Sequence, residues 1–146
     1  MAFMRRVKRS AHVPYSSAQM FDVINDVSRY ADFLPWCVDS KVLQDQNDIM
    51  VARLEIARGG LKHSFSTRNV HKRADSIQME LLKGPFSNLS GLWEFTQLGE
   101  DGCRIKMDLS FDFDSRVMNM TLAGVFNVAA DTMVDAFCER ADDLYG

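Results

Sequence analysis

The sequence predicts an α+β fold, a curved antiparallel seven-stranded sheet around one long C-terminal helix, with two short helices after the first strand. Three observations predict it. Period-two alternation of apolar and polar residues returns between turn signals from Val38 to Phe113, a sharply marked helix start interrupts the strands at Ser16, and from Ser115 the apolar spacing becomes helical almost to the C-terminus. Consecutive strands with short turns argue for an antiparallel sheet with one wet and one apolar face, and an amphipathic helix covers the apolar face.

Val7, Arg9, Ala11 and Val13 alternate with Arg6, Lys8, Ser10 and His12, giving a first strand from Arg5 to Val13 that stops at Pro14. Ser16 and Gln19 have the spacing of a capping box, with Tyr15 and Met20 at the two positions of a hydrophobic staple. Met20, Val23, Ile24 and Val27 continue that helix's apolar face. Ser28 is placed to cap a second short helix, which Pro35 ends by disfavouring helical geometry at Leu34.

Six strands follow. Met50, Ala52, Leu54 and Ile56 share one face, and Gly59 and Gly60 suit a tight hairpin. His63, Phe65, Thr67 and Asn69 share the next inward face; then come Ile77, Met79 and Leu81, then Trp93 and Phe95. The last strand is the clearest, with Ile105, Met107, Leu109, Phe111 and Phe113 against Arg104, Lys106, Asp108, Ser110 and Asp112. Asp114 or Ser115 caps the long helix, whose stripe is Met118, Leu122, Phe126, Ala129, Met133, Phe137 and Leu144. Its first half, Val117 to Ala130, has no charged residue, and Val117, Met120, Val125 and Val128 lie off the stripe. Loops near Phe33 to Trp36 and Lys83 to Phe86 are expected either to cover this segment or to form with it the mouth of a pocket.

The chain has 146 residues, enough for one domain over residues 1–146 and too few for two ordinary ones. A net charge of −3 gives no global footprint for nucleic acid and argues against DNA. Arg5, Arg6, Lys8 and Arg9 nevertheless concentrate four cations, either as a basic arm for phosphates or anionic lipid or as the solubilising charge of an edge strand. Three widely spaced cysteines without metal-ligand spacing read as reduced thiols. With no apolar signal core and no run of about 18 apolar residues, the chain is expected to be cytoplasmic, with at most transient contact at a membrane surface.

No phosphate loop, nucleotide fingerprint, nucleophile elbow or locally spaced His–carboxylate pair is present. His12 and His71 fall near strand ends and are expected in solvent, whereas His63 alternates inward with Thr67 and Asn69. Those three polar groups in an apolar hollow suit a carbonyl or methoxy head group. A wide curved sheet around a single helix encloses more space than the helix fills. The expected lining is Leu54, Phe65, Met79 and Leu81, with Trp93, Phe95, Met107, Leu109 and Phe111 from later strands and Met118, Leu122 and Phe126 from the helix. Phe33, Leu34, Trp36 and Phe86 are placed at the mouth. Nine methionines supply side chains that adapt to a bendable ligand or fill gaps in an ordinary core.

Val13 to Cys37, Thr67 to Asn69 and Gly84 to Phe95 together resemble the coenzyme Q-binding protein and ribosome-association toxin family of the polyketide cyclase/START-like superfamily. The resemblance spans nearly the whole chain. Ala31 stands where the family's "YPxFLPWC" pattern has proline, and Gln97 where its "WxFxPL" ending does. It implies a helix-grip fold and a pocket for a hydrophobic ligand, with no required cofactor and no metal. It also implies two functions of different class: binding ubiquinone as a polyprenyl quinone carrier that supports respiration, or binding the large ribosomal subunit and blocking subunit association. The sequence favours the non-enzymatic quinone carrier first, the ribosomal toxin second, and a cyclase or dehydrase third, since no catalytic pair emerges.

Overall fold

The computed structural model describes residues 4–58 and 60–146. In chain order it contains β1 (Arg5–Val13), α1 (Ser17–Asn25), a 3₁₀ turn (Val27–Arg29), α2 (Tyr30–Phe33), β2 (Cys37–Gln46), β3 (Ile49–Arg58), β4 (Leu61–Lys72), β5 (Ser76–Lys83), β6 (Phe86–Leu98), β7 (Gly102–Phe113) and α3 (Arg116–Tyr145). The strands pair antiparallel in the order β1-β7-β6-β5-β4-β3-β2, so the two edges are β1 and β2. The short helices carry the chain from one edge to the other, and α3 lies across the apolar face. At 1.5 Å per residue α3 is about 45 Å long, which is why one helix suffices for the whole sheet.

Local chemistry explains most boundaries. Ser16 Oγ accepts from the Gln19 amide at 3.1 Å while Gln19 Oε1 accepts from the Ser16 amide at 2.9 Å, and Tyr15 and Met20 are both buried as the staple requires. Ser115 caps α3 by accepting from Met118 N. Asn47 and Asp48 both take positive φ, +54° and +64°, making the two-residue β2–β3 hairpin of the primed type that matches strand twist. The corresponding expectation for Gly59 and Gly60 falls partly outside the described residues.

The core has two aromatic centres. Phe137, fully buried, meets Tyr30, Trp93 and Phe33 at 5.2, 5.4 and 5.8 Å between centroids. Phe126 meets Phe111 at 4.6 Å and Phe86 at 5.0 Å, edge-on or tilted as ring quadrupoles prefer. Gly84, at φ +153°, brings its backbone so close to Phe65 that an added Cβ would sit 2.6 Å from the Phe65 Cβ, so only glycine fits there.

Four expectations are corrected. Ser28 caps nothing: its hydroxyl donates to the Asp26 carboxylate, and the turn begins without a side-chain cap. Leu144 is exposed, and Ala141, about one turn earlier, closes the stripe, while the neighbouring Tyr145 packs on Tyr15. Val125 is buried and Phe86 packs on Phe126, so the Lys83–Phe86 loop does meet this part of α3, but Val117, Met120 and Val128 stay 65%, 78% and 54% exposed and are left uncovered by the described residues. Finally, α3 is long and apolar enough to cross a membrane by length and composition, although here its Phe126, Ala129, Ala130 and Phe137 pack inside the fold.

Candidate functional site

Between the sheet and α3 lies an apolar pocket of about 60 Å³. Alternation along β4 turns Phe65, Thr67 and Asn69 into it, and the register sets Ala52 of β3 opposite Thr67 and Met79 of β5 opposite Asn69. Gly91 of β6 faces both Met79 and Leu109 in the ladder. A Cβ there would lie 2.6 Å from the Met79 terminal methyl and 3.3 Å from Leu109, so this glycine is what lets two lining side chains close over β6.

Of the residues expected to line a pocket, Trp36, Leu54, Phe65, Thr67 and Asn69 do so, as do Met79, Met107, Leu109 and Phe126. The others are held elsewhere. Leu34 is core, and Phe33 is half-buried on the rings of Tyr30 and Phe137 with the Arg140 guanidinium 5.0 Å above it. Trp93 lies edge-on to Phe137, Phe95 edge-on to Phe21, and Phe86 stacks on Phe113. Phe111 and Leu122 are buried in the core, while Met118 and Leu81 are partly buried against it. His63 shares the inward face as expected, but it is half-exposed and does not line the pocket. His71 is likewise not in free solvent: its ring nitrogen is 3.3 Å from Asp45 Oδ1 and its ring packs beside Phe21.

Sequence reasoning missed Val27, Tyr30, Ala52, Leu89 and Met133 in the lining. Ala52 was legible from its strand alternation, and Met133 from the helix stripe. Tyr30 was not, because its role depends on its hydroxyl being committed to the Ile24 carbonyl, with burial raising its pKa well above the ordinary tyrosine value. Only its ring is offered to the pocket.

The lining contains no carboxylate, imidazole, thiol or cation, so it offers no group to take or give a proton near neutral pH. Its one conspicuous polar feature is Asn69. Its side chain is 4% exposed and Oδ1 meets no donor among the described residues, a state that costs about 1–3 kcal/mol unless a ligand or water supplies the missing bond. Among the described residues no three His, Cys, Asp or Glu side chains gather as metal ligands. The thiols of Cys37 and Cys138 are pushed up to about 11, chiefly by burial, which makes them poor nucleophiles.

The basic stretch of β1 is an edge strand. Arg5 and Arg9 turn to the helix side, where both bond Asp131 at 2.8 and 3.0 Å and Arg5 also reaches Asn127. Arg6 makes a two-pronged bond to Asp108 of β7, at 2.8 and 3.0 Å, holding that carboxyl below its usual range.

The ribosome association toxin RatA of Pseudomonas aeruginosa is 49% identical over 140 residues, covering 96% of this chain and 97% of the relative. The mitochondrial coenzyme Q-binding protein of Dictyostelium discoideum is 30% identical over 136 residues, 90% of this chain and 66% of the relative. Among solved structures, the Zhui aromatase/cyclase from Streptomyces superposes with a TM-score of 0.80 at 19% identity, over 95% of this chain and 94% of that one, which is a likeness of fold. Residues 13–138 match the family described as polyketide cyclase/dehydrase and lipid transport, and the chain belongs to that family and, with the Pseudomonas relative, to its RatA-type members.

Proposed function

We propose that this chain is a non-enzymatic, ribosome-directed binding protein of the RatA type, acting on the large subunit so as to block subunit association. The observation that carries the reading is the size of the pocket, taken with the full-length similarity to a ribosome association toxin. An apolar cavity of about 150 Å³ admits a benzene ring, whereas this one is about 60 Å³ and has no acid or base in its lining. Neither a quinone carrier with a ready-made hollow nor a cyclase is favoured by such an interior, and the functional contact falls to the surface. The test is a sucrose-gradient profile after expression of the protein in cells. Free subunits should accumulate at the expense of joined ribosomes; an unchanged profile removes the proposal.

A second reading, binding of a polyprenyl quinone or similar hydrophobic ligand, is favoured by one feature, the unpartnered Asn69 carbonyl beside Thr67. Met79, Met107 and Met133 have unbranched side chains that can swing to admit a ligand. Trp36 lines the pocket and Trp93 does not, so a bound quinone should quench Trp36 emission, and Trp36→Phe should remove the quenching. Absence of quenching in the parent protein, with no prenyl lipid seen by native mass spectrometry, excludes this reading.

A further inference from the structure

We propose that the outer face of β1 and β7 is the surface through which the chain meets the RNA phosphates of the large subunit. The inference rests on the ribosomal reading above and names its contact. Strand pairing sets His12 opposite Arg104, Ser10 opposite Lys106 and Lys8 opposite Asp108, with all three of Lys8, Arg104 and Lys106 exposed. Adjacent strands lie about 4.8 Å apart, and alternate residues on one strand about 7 Å apart. Lys8 and Lys106, nearly a hundred residues apart in sequence, are therefore diagonal neighbours about 8 Å apart, with Arg104 two residues further along the same face.

The cations of this face differ from the rest of the basic stretch in being uncommitted. Arg5, Arg6 and Arg9 each hold a carboxylate, whereas Lys8, Arg104 and Lys106 form no ion pair among the described residues. Two carboxylates sit among them, Asp108, bonded by Arg6 and opposite Lys8, and Glu94, opposite Lys106, so that Arg6, Lys8, Arg104 and Lys106 still leave an excess of two positive charges. Lys8, Arg104 and Lys106 line a shallow open groove of about 270 Å³. Across the molecule the sign reverses: the last half of α3 carries Asp131, Asp135, Glu139, Asp142 and Asp143 with Arg140, and of these acids Asp131 is bonded by Arg5 and Arg9. A chain of net charge −3 built this way presents one face to a polyanion and turns the other away.

An anionic membrane is the less suitable partner for this face. Surface-binding elements couple their cations to a broad apolar face, and the groove itself is lined mainly by charged and polar residues, with Leu92 half-buried and Met107 buried as its apolar members.

The test is sedimentation of the full chain with purified large subunits at several salt concentrations. It compares the parent with a triple variant, Lys8→Glu, Arg104→Glu and Lys106→Glu, and a control, Lys62→Glu, Arg68→Glu and Lys72→Glu, on β4 of the same sheet. Each lost phosphate contact lowers the log–log salt slope by about 0.7–0.9. The triple variant should lose at least about tenfold in affinity and about two in slope, and the control should stay within about threefold. Circular dichroism and melting show that each variant is folded, and Lys8→Arg with Lys106→Arg should bind like the parent. Equal binding by the triple variant overturns the assignment, as does an equal loss in the control. Failure of the parent itself to sediment removes the ribosomal reading and this surface with it. If the parent binds vesicles of anionic lipid and not subunits, the face is a lipid contact and the RNA assignment fails.

Discussion

The two ends of the interior are built from the same kind of alternating strand and yet are filled differently. Around Phe137 the space is taken by rings, with Tyr30, Phe33 and Trp93 within 6 Å of its centroid and Arg140 closing the outside. Around Asn69 the rings of Tyr30, Trp36, Phe65 and Phe126 share the lining with the thioethers of Met79, Met107 and Met133 and with Ala52, leaving a pocket and an unpartnered carbonyl. Rings interlock and fix one arrangement; thioethers tolerate several. The Phe137 cluster is accordingly the stiffer part of the interior and the methionine side the more yielding one.

The largest effect is expected at the ring end. Phe137→Ala should cost about 3–5 kcal/mol, because the neighbours are too stiff to collapse into the space. Met133→Ala, half-buried on the same helix beside the pocket, should cost at most about 2 kcal/mol. Urea unfolding of the two variants measures the gap; equal losses erase the contrast.

Next comes Gly91→Ala. Its new methyl must displace the Met79 terminal methyl, an overpacking of about 1–2 kcal/mol. Adding Met79→Ala should recover much of it, a coupling of about 1 kcal/mol in the double-mutant cycle. Additive losses would mean that backbone, and not the methionine, bears the strain.

Smaller again is Asn69→Leu. Removing an acceptor that lacks a partner should leave stability unchanged or raise it by about 1 kcal/mol. A loss of similar size in a thermal melt would reveal that water or a bound ligand already satisfies that oxygen.

The smallest effect is the pH response of the buried thiols. Cys37 and Cys138 titrate near 11 in the fold against 9.0 ordinarily, so folding favours their protonated form. That contribution is complete below about pH 9 and is lost as pH rises towards 11. Between pH 8 and 11 the parent should lose more stability than a Cys37→Ala, Cys138→Ala variant, and parallel curves would contradict the burial argument. Both thiols should also alkylate slowly at pH 8.

The fold was legible because its signals are local. Alternation from Arg5 to Val13 and from Met50 to Phe113, the Ser16–Gln19 capping box and the change of period at Ser115 each depend on residues a few positions apart and mark six strands and the helices, whereas β2, bulged and mostly exposed, has no such face. The site was legible only where a period sets a direction. Phe65, Thr67, Asn69, Met79 and Met107 were placed correctly inward, but inward does not distinguish a wall of the pocket from the packed core that took Trp93, Phe95 and Phe111. That choice depends on volumes summed across strands, which no spacing encodes. Phe33 and Leu34 show the same limit, since their loop packs over Phe137 instead of the charge-free start of α3. The outer cationic face was hidden for a related reason. Lys8 was noticed as part of a run whose arginines are in fact committed to Asp131 and Asp108, while its true companions, Arg104 and Lys106, are brought to it only by the β1–β7 register.

In the proposed reading the working surface lies outside the sheet and not within it. The direct measurement is large-subunit sedimentation of a pocket-filled variant, Ala52→Val with Asn69→Leu, beside the Lys8, Arg104 and Lys106 charge-reversal variant, both confirmed as folded. The filled variant should bind subunits as the parent does and the charge-reversed one should not. Loss of binding on filling the pocket, with binding kept on reversing the charges, would contradict it.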